Sequence, residues 1–326
     1  MTGSTEEQMR GPQIDALPID PSRPTWSVMI PTFNCAKLLE TTLRSILVQD
    51  PGSASMEIVV VDDISTKDDP EATVRRIAGD RVRFQRNPAN LGAVLNFNRC
   101  IELSRGSLVH ILHGDDFVAP TFYRAIGAMA EAHPECAFYA TRAFGTDEEG
   151  VPDWITPRAT ALERPSRSVA QAVNQQLFQT PAVVVRRTFY EREGGFLPNL
   201  VHCADWEMWV RAIARGAGIL DAQPLAYYRM FAANDTGRLV RTGENIRDRM
   251  RLAEYFRIYP EFQEEEFRRN TAQLARSQAN RFGNGVDVEA ERQNLAAFRE
   301  IASAKERTDE ALRRAKRRLV STVKGR

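Results

Sequence analysis

Two apolar runs in the first third of the chain end on paired carboxylates. Glu57-Ile58-Val59-Val60-Val61 leads into Asp62-Asp63, and Leu108-Val109-His110-Ile111-Leu112 leads into His113-Gly114-Asp115-Asp116. Short runs dominated by Val, Ile and Leu read as strands buried on both faces, as in a parallel sheet covered by helices. Helical periods lie between such runs. Trp26-Ser27-Val28-Met29-Ile30 is a first strand, broken at Pro31-Thr32-Phe33-Asn34, after which Leu38, Leu39, Leu43, Ile46 and Leu47 recur at helical spacing. Val82-Arg83-Phe84-Gln85 is a third strand, and Asn90-Leu91-Gly92 opens a helix that passes Cys100 and Leu103 and closes at Gly106. This alternation predicts a parallel, three-layer α/β sheet. Strands pointing one way bring both acidic pairs to the C-terminal edge, where open α/β sheets bind ligands. Neighbouring carboxylates repel unless a cation lies between them, and hard oxygen donors suit Mg2+ or Mn2+. The alternative for Asp115-Asp116 is an Asp-Asp turn capping the next helix.

At 326 residues, 43% hydrophobic and 27% charged, the chain can build one large or two modest domains. Met1 to Pro24 is polar and holds four prolines, which predicts a flexible N-terminal arm or an extended strap. Residues 25–240 form the expected α/β domain, divided into halves at 25–120 and 121–240. In the second half, Phe122 to Ala132 reads as helix, Cys136 to Ala140 and Val183 to Val185 as strands, and 142–168 as a surface insertion or lid. Asp205 to Ala214 reads as a helix with Trp206, Trp209, Val210 and Ile213 on one core-facing side. Residues 241–326 form a helical extension, interrupted at Pro260 and Gly283-Asn284-Gly285. Its apolar Phe256, Phe262, Phe267, Leu274, Leu295, Phe298 and Ile301 suit packing, homo-oligomer contact or docking on a membrane. That extension carries 20 Lys and Arg against 14 Asp and Glu, in a chain whose net charge is +1. Its last stretch, Arg313 to Arg326, has seven basic residues and no acid, read as a solvated helix end or as a surface for anionic lipid. Four scattered cysteines without ligand spacing, no apolar stretch of membrane length and no secretory signal point to the cytoplasm, with peripheral contact at the inner face of the membrane as an extension of that reading. No nucleic-acid partner is expected.

A third acidic cluster, Asp205 with Glu207, stands at a helix start. An enzyme acting on a diphosphate compound needs one carboxylate to hold a base or ribose, another to hold a divalent ion, and a third to act as base. Val28-Met29-Ile30-Pro31-Thr32-Phe33-Asn34, Val60-Val61-Asp62-Asp63-Ile64-Ser65-Thr66, Asn90-Leu91-Gly92 with Asn98-Arg99, and His113-Gly114-Asp115-Asp116 together resemble the family 2 glycosyltransferases of the GT-A fold. Asp205-Trp206-Glu207-Met208-Trp209-Val210-Arg211 resembles the family's second acidic motif. The resemblance implies a GT-A type α/β/α nucleotide-binding domain with a mainly helical C-terminal extension. It implies an inverting enzyme that uses Mn2+ or Mg2+ to move a single sugar from a nucleotide-diphosphate sugar, with a pyrimidine base favoured, to a hydroxyl of a glycan, lipid-linked or other acceptor. The implied setting is cell-surface polysaccharide or glycoconjugate synthesis. Position by position it implies nucleotide contacts at Pro31, Thr32, Asn34, Asp63, Asn90, Gly92, Asn98 and Asp115, metal ligation by Asp116, and a general base at Asp205. His113, His202, Glu207 and Arg229 are further candidates for diphosphate or acceptor contact.

Each candidate has a plainer reading beside it. Asp62 reads as a turn residue secondary to Asp63, Gly92 as backbone punctuation, and Glu207 as the partner of Arg211 at i, i+4 spacing. His202 reads by default as a surface or packing residue. The chain departs from the family at His113, where an acid is common, and at Tyr228-Arg229-Met230-Phe231, where a His often follows the Arg. The Gln-x-x-Arg-Trp motif of processive synthases is absent, which favours single-sugar transfer. The competing classes are a sugar-phosphate nucleotidyltransferase, which would ordinarily carry a Gly-rich phosphate loop after the first strand, and a non-catalytic nucleotide-sugar-binding protein.

Overall fold

The computed structural model describes residues 10–283 and 285–313. The chain divides into two compact units. The first runs to Phe231 and takes in Ile258–Phe262; the second comprises Ala232–Arg257 and the residues from Gln263 onward.

The first unit begins as the sequence predicts. Strands β1 (Trp26–Thr32), β2 (Met56–Asp62), β3 (Arg83–Arg86) and β4 (Leu108–Ile111) alternate with helices α1 (Ala36–Leu47), α2 (Pro70–Ala78) and α3 (Ala93–Leu103). β1 lies between β2 and β4, parallel to both, in a register that sets Thr32 beside Asp62 and Met29 beside Ile111. Every residue of β1 is buried, as a central strand covered on both faces requires. Pro31 is tolerated there because its missing N–H faces the β4 side beyond the last β1–β4 pair, while its carbonyl still accepts from the Gly114 N–H at 3.0 Å.

The second half adds β5 (Phe117–Val118), α4 (Phe122–Ala132), β6 (Phe138–Thr146), β7 (Pro152–Ile155), β8 (Val183–Arg186), α5 (Arg187–Glu193), α6 (Ala204–Gly216) and β9 (Gly218–Arg229). The strand order is β3-β2-β1-β4-β8-β6-β9-β5, with β7 paired to β6. β8 runs antiparallel to both β4 and β6, and β5 antiparallel to β9, so the sheet is mixed. The expected parallel arrangement therefore holds for β1 to β4 and again for the β6–β9 pair, and it is broken at β8 and β5. A parallel return needs a crossover helix, and no α-helix occurs among the described residues between β7 and β8. Residues 142–168 are also more regular than expected: Arg142 to Thr146 continue β6, which turns through Asp147–Gly150 into β7.

The two faces of the sheet are covered differently. Tyr139 and Ala143 of β6 join a core with Val28, Leu43, Val60 and Ile126. Phe138, on the other face, packs against Phe178 and against Trp209 of α6, so α6 covers the opposite side. Of the two readings for the N-terminal segment, its described part takes the strap form rather than that of a flexible arm. Ile14 is 2% exposed, Pro12 accepts from the Gly195 N–H at 2.8 Å, and the Asp15 carbonyl accepts from Arg187 at 3.2 Å.

The second unit contains α7 (Asp235–Thr242), α8 (Glu244–Phe256), α9 (Glu264–Phe282) and α10 (Val288–Ile301). Its core joins Ile246, Phe298 and the small side chains Ala272, Ala275, Ala297 and Ala302. Phe256, Phe267, Leu295 and Phe298 are all buried, so the apolar stripes of these helices serve packing. The division falls after Phe231 rather than after residue 240, because α7 is tied to the other helices: Asn294 donates to the Val240 carbonyl at 2.9 Å, and Arg241 pairs with Asp287. The basic stretch after Arg313 lies outside the described residues. No helix of the described residues is long and apolar enough to cross a membrane.

Candidate active site

Because β1, β2 and β4 point the same way, the loops after Thr32, Asp62 and Ile111 meet at one edge. The loop after β2 is ordered by its own carboxylates. Asp62 is fully buried and accepts from the Ser65 N–H, the Ser65 hydroxyl at 2.5 Å and the Arg86 guanidinium at 2.8 Å, which makes it the loop staple expected of a secondary turn acid. Asp63 gathers the 87–92 segment. Its Oδ1 accepts from the Asn87 amide at 2.9 Å and the Leu91 N–H at 2.8 Å, and its Oδ2 accepts from the Gly92 N–H at 2.8 Å. Asn90 donates to the Asp63 carbonyl at 2.8 Å, and Gly92 sits at φ 80°, a left-handed conformation in which a side chain would be strained. Asn34 also has positive φ, 52°, and its side-chain oxygen accepts from the Thr66 and Lys67 N–H groups at 2.8 and 2.9 Å. Ile64 at φ 62° is a rarer outlier, since a β-branched side chain is unfavourable in that region, and it directly follows Asp63.

The acidic turn after β4 is packed tightly. A side chain at Gly114 would meet the Thr32 hydroxyl at 2.8 Å and the Cys35 sulfur at 2.9 Å, so only glycine lets the turn close on β1. Thr42 of α1 donates to the carbonyls of Gly114 at 3.0 Å and Asp116 at 2.6 Å. The Asp116 side chain is fully buried; its Oδ1 accepts from the Arg229 N–H at 2.8 Å, and its Oδ2 faces Nδ1 of His113 at 3.4 Å. Asp115 is only half-buried. The expectation that Asp116 binds metal and Asp115 binds ribose thus meets a different geometry, in which Asp115 is the more accessible carboxylate and Asp116 is committed to the fold on one side. Burial, and next the charge of Asp116, push the Asp115 carboxyl up to about 7.

His113 stacks on Phe97, with ring centroids 4.9 Å apart and planes at 13°. Burial would lower its basicity, but the facing Asp116 carboxylate and the charges of Asp115 and Asp205 outweigh it and hold the imidazole above its ordinary value. Its Nε2 and the Oδ2 of Asp116 are buried without a hydrogen-bond partner. One donor atom from each of His113, Asp115 and Asp116 lies within 4.8 Å of the others. An imidazole nitrogen and two carboxylates with open valences fit a divalent ion of the Mn2+ or Mg2+ class.

Asp205, the second residue of α6, is close enough to His113 for their charges to act on one another. Its Oδ1 accepts from the Trp206 N–H at 2.7 Å, and its Oδ2 from the Gln176 amide and the Thr180 hydroxyl, both at 3.3 Å. Burial pushes its carboxyl up to about 6 against the lowering effect of the Trp206 N–H, His113 and Thr180. His202 is half-buried and lies in the bend before α6.

Three candidates from the sequence are placed elsewhere. Asn98 faces the interior, closing two hydrogen bonds on the Phe196 backbone at 2.7 and 2.9 Å, so it clamps α3 rather than lining the crevice. Glu207 is buried and pairs through both oxygens with Arg211 at 2.8 and 2.9 Å, as the i, i+4 reading predicts. Arg229 is 3% exposed; it lies over the Phe117 ring at 4.7 Å and donates to the Asp115 carbonyl at 2.6 Å, which makes it a support beneath the acidic turn. Phe117 in turn stacks on Tyr227 at 4.4 Å. The Glu207 arrangement carries a prediction. Glu207→Ala strands the Arg211 charge in the interior and is expected to cost about 3–5 kcal/mol in chemical denaturation, a penalty an exposed acid would not show. Phe117 closes the acidic motif but was given no role by sequence, and Gln176 and Thr180 lie in no motif; their positions depend on how separate segments meet.

A family profile described as "Glycosyl transferase family 2" matches residues 27–194. An uncharacterised protein of Mycobacterium tuberculosis is 29% identical over 256 residues, covering 74% of this chain and 78% of that one. Among solved structures, S. aureus TarS 1-349 in complex with UDP-GlcNAc aligns with TM-score 0.60 at 17% identity, over 84% of this chain and 79% of that chain. The mannosyltransferase PcManGT of Pyrobaculum calidifontis, solved with GDP-Man and Mn2+, aligns with TM-score 0.55 at 20% identity, over 95% and 85%. The fold is thus the GT-A fold.

Proposed function

The chain belongs to glycosyl transferase family 2, and from that premise we propose that it moves one sugar, with inversion, from a nucleoside-diphosphate sugar to an acceptor hydroxyl. The observation that carries this reading is a His-Asp-Asp cluster at the sheet edge together with a second raised carboxyl, Asp205, whose charge acts on it. On one side is the His113, Asp115, Asp116 cluster with open valences; on the other is Asp205, whose carboxyl titrates at about 6.

On this reading the donor lies across the loops after β1, β2 and β4. Asp63 Oδ2 accepts one hydrogen bond and keeps a lone pair for a base N–H, and a pyrimidine, as the family resemblance implies, is the base we propose. Pro31, Thr32, Asn34, Asn90 and Gly92 shape that pocket through backbone geometry, Asn34 and Gly92 by their positive φ. Asp115, with His113 and Asp116, would hold the divalent ion, which when bound neutralises charge on the departing diphosphate. Arg229, below the turn, keeps the two carboxylates in register. Asp205 takes the proton of the acceptor hydroxyl. A carboxyl near 6 is ionised at neutral pH yet more basic than an ordinary aspartate, which suits that task. Complexes of TarS with UDP-GlcNAc and of PcManGT with GDP-Man and Mn2+ support a nucleotide-sugar donor and a metal. Synthesis of a surface polysaccharide or other glycoconjugate is the setting we propose, with acceptor identity left to experiment.

The test is release of nucleoside diphosphate from a panel of nucleotide sugars, with Mn2+ and glycan acceptors, followed by the anomeric form of the product. Release with an inverted product supports the reading; a folded protein that cleaves none of the donors contradicts it. The pH profile carries a separate expectation. Since Asp205 must be ionised, kcat/KM should be full at about pH 7 and above, half-maximal near pH 6 and lost below it, roughly two units higher than an unperturbed aspartate would give.

A further inference from the structure

We propose that the segment Gln176–Pro181 is a positioning arm for the Asp205 carboxylate, and that His110 pins this arm to the strand that carries the acidic turn. The proposal rests on the reading of Asp205 as the base. Both donors to Asp205 Oδ2 come from this segment, the Gln176 amide and the buried Thr180 hydroxyl, each at 3.3 Å. With Oδ2 held by two side chains, the carboxylate plane is set, and Oδ1, which accepts from the Trp206 N–H, is the oxygen turned from the arm and offered to an incoming hydroxyl.

The arm has its own anchor. Thr180–Ala182 forms a tight 3-10 turn, closed by the Ala182 N–H on the Gln179 carbonyl at 2.9 Å. The Pro181 carbonyl lies 3.0 Å from Nε2 of His110, and the Tyr123 hydroxyl lies 3.0 Å from its Nδ1. A carbonyl can only accept, so Nε2 carries the hydrogen and Nδ1 accepts from Tyr123. That is the neutral tautomer, satisfied at both nitrogens, and burial lowers the pKa of His110 to about 3, so its contacts do not change with pH in the working range. His110 belongs to β4, three residues before His113. One rigid strand therefore sets both the acidic turn and, through Pro181 and Thr180, the orientation of the facing carboxylate. The groups facing Asp205 are His113 from the end of β4, Gln176 and Thr180 from the arm, and the first-turn N–H of Trp206.

Thr180→Val keeps shape and removes one donor. It is expected to lower kcat roughly tenfold or more, since a hydrogen bond to a charged group contributes about 1.5–3 kcal/mol. Donor KM should stay within about twofold, and the acid limb of the pH profile should move upward because the ionised form of Asp205 loses a donor. Thr180→Ser should restore both kcat and the limb, which a merely structural role would not do. Gln176→Leu, at a half-buried position, gives the same readout in a weaker form and serves if the valine variant folds poorly. Variants at 176 and 180 with wild-type kcat and an unmoved limb, while Asp205→Asn is inactive, would overturn the arm and leave the base assignment standing. An Asp205→Asn protein that still turns over donor would overturn the base assignment, and the arm with it.

Discussion

Asp205→Asn is expected to lower kcat by roughly 1,000-fold while leaving donor binding and folding intact, the size of effect that general-base catalysis supplies. The amide is nearly isosteric. Its oxygen can still accept the Trp206 N–H, and the Thr180 hydroxyl can rotate to meet an NH2 group in place of an oxygen. Stability should hold or rise slightly, because burial disfavours the ionised carboxylate and pushes it up to about 6. The loss therefore falls on the chemical step. Steady-state rates read it, with the melting temperature and donor affinity as controls. A variant with native melting and near-native kcat would remove Asp205 from the reaction. Glu207 could not take its place, because both its oxygens are bound to Arg211 inside the core.

The second large effect is expected at Asp115. In wild-type protein, Mn2+ with a saturating nucleoside diphosphate should stabilise the fold by about 2.7 kcal/mol at one hundred times the dissociation constant, or roughly 5 °C in melting temperature. Asp115→Asn should abolish most of that Mn2+-dependent shift and leave the melting of the free protein unchanged or higher, since its carboxyl is pushed up to about 7 by burial and by Asp116. Asp116→Asn should have the smaller effect on Mn2+. Its Oδ1 accepts the Arg229 N–H, a bond an amide oxygen can keep, and its side chain is fully buried beneath the turn. Thermal shifts of the two variants with and without Mn2+ separate them. A larger loss at 116 than at 115 would return the metal to the residue that the sequence pattern favours.

The contrast between these two aspartates shows where sequence stops. An apolar run that ends in Asp115-Asp116 announces a strand and a rim acid, because burial and chain direction follow from composition. Which of the two side chains turns outward depends on Arg229, more than a hundred residues away, whose N–H claims Asp116. Strand direction is lost in the same way. Val183, Val184 and Val185 read plainly as a strand, yet nothing in three valines tells that β8 pairs antiparallel with β4. Asn98 lies beside the Asn90-Leu91-Gly92 motif in sequence, but helix α3 points it inward to the Phe196 backbone. Local periodicity carried the parallel half of the sheet, the loop carboxylates and the helix start at Asp205, all set by near neighbours. The positioning of Thr180 against Asp205 and of Phe117 beneath Arg229 comes from packing between distant segments, which no short pattern encodes.

The central claim is that the rim built by Asp63, Asp115, Asp116 and His113 binds a nucleoside diphosphate. Calorimetric titration of the full-length protein with UDP, CDP and GDP in the presence of Mn2+ tests it most directly. The account predicts saturable one-site binding for at least one of them, strongest for a pyrimidine, and weakened at least tenfold in Asp115→Asn. Absence of binding for all three to folded protein, or binding that Asp115→Asn leaves unchanged, would contradict it.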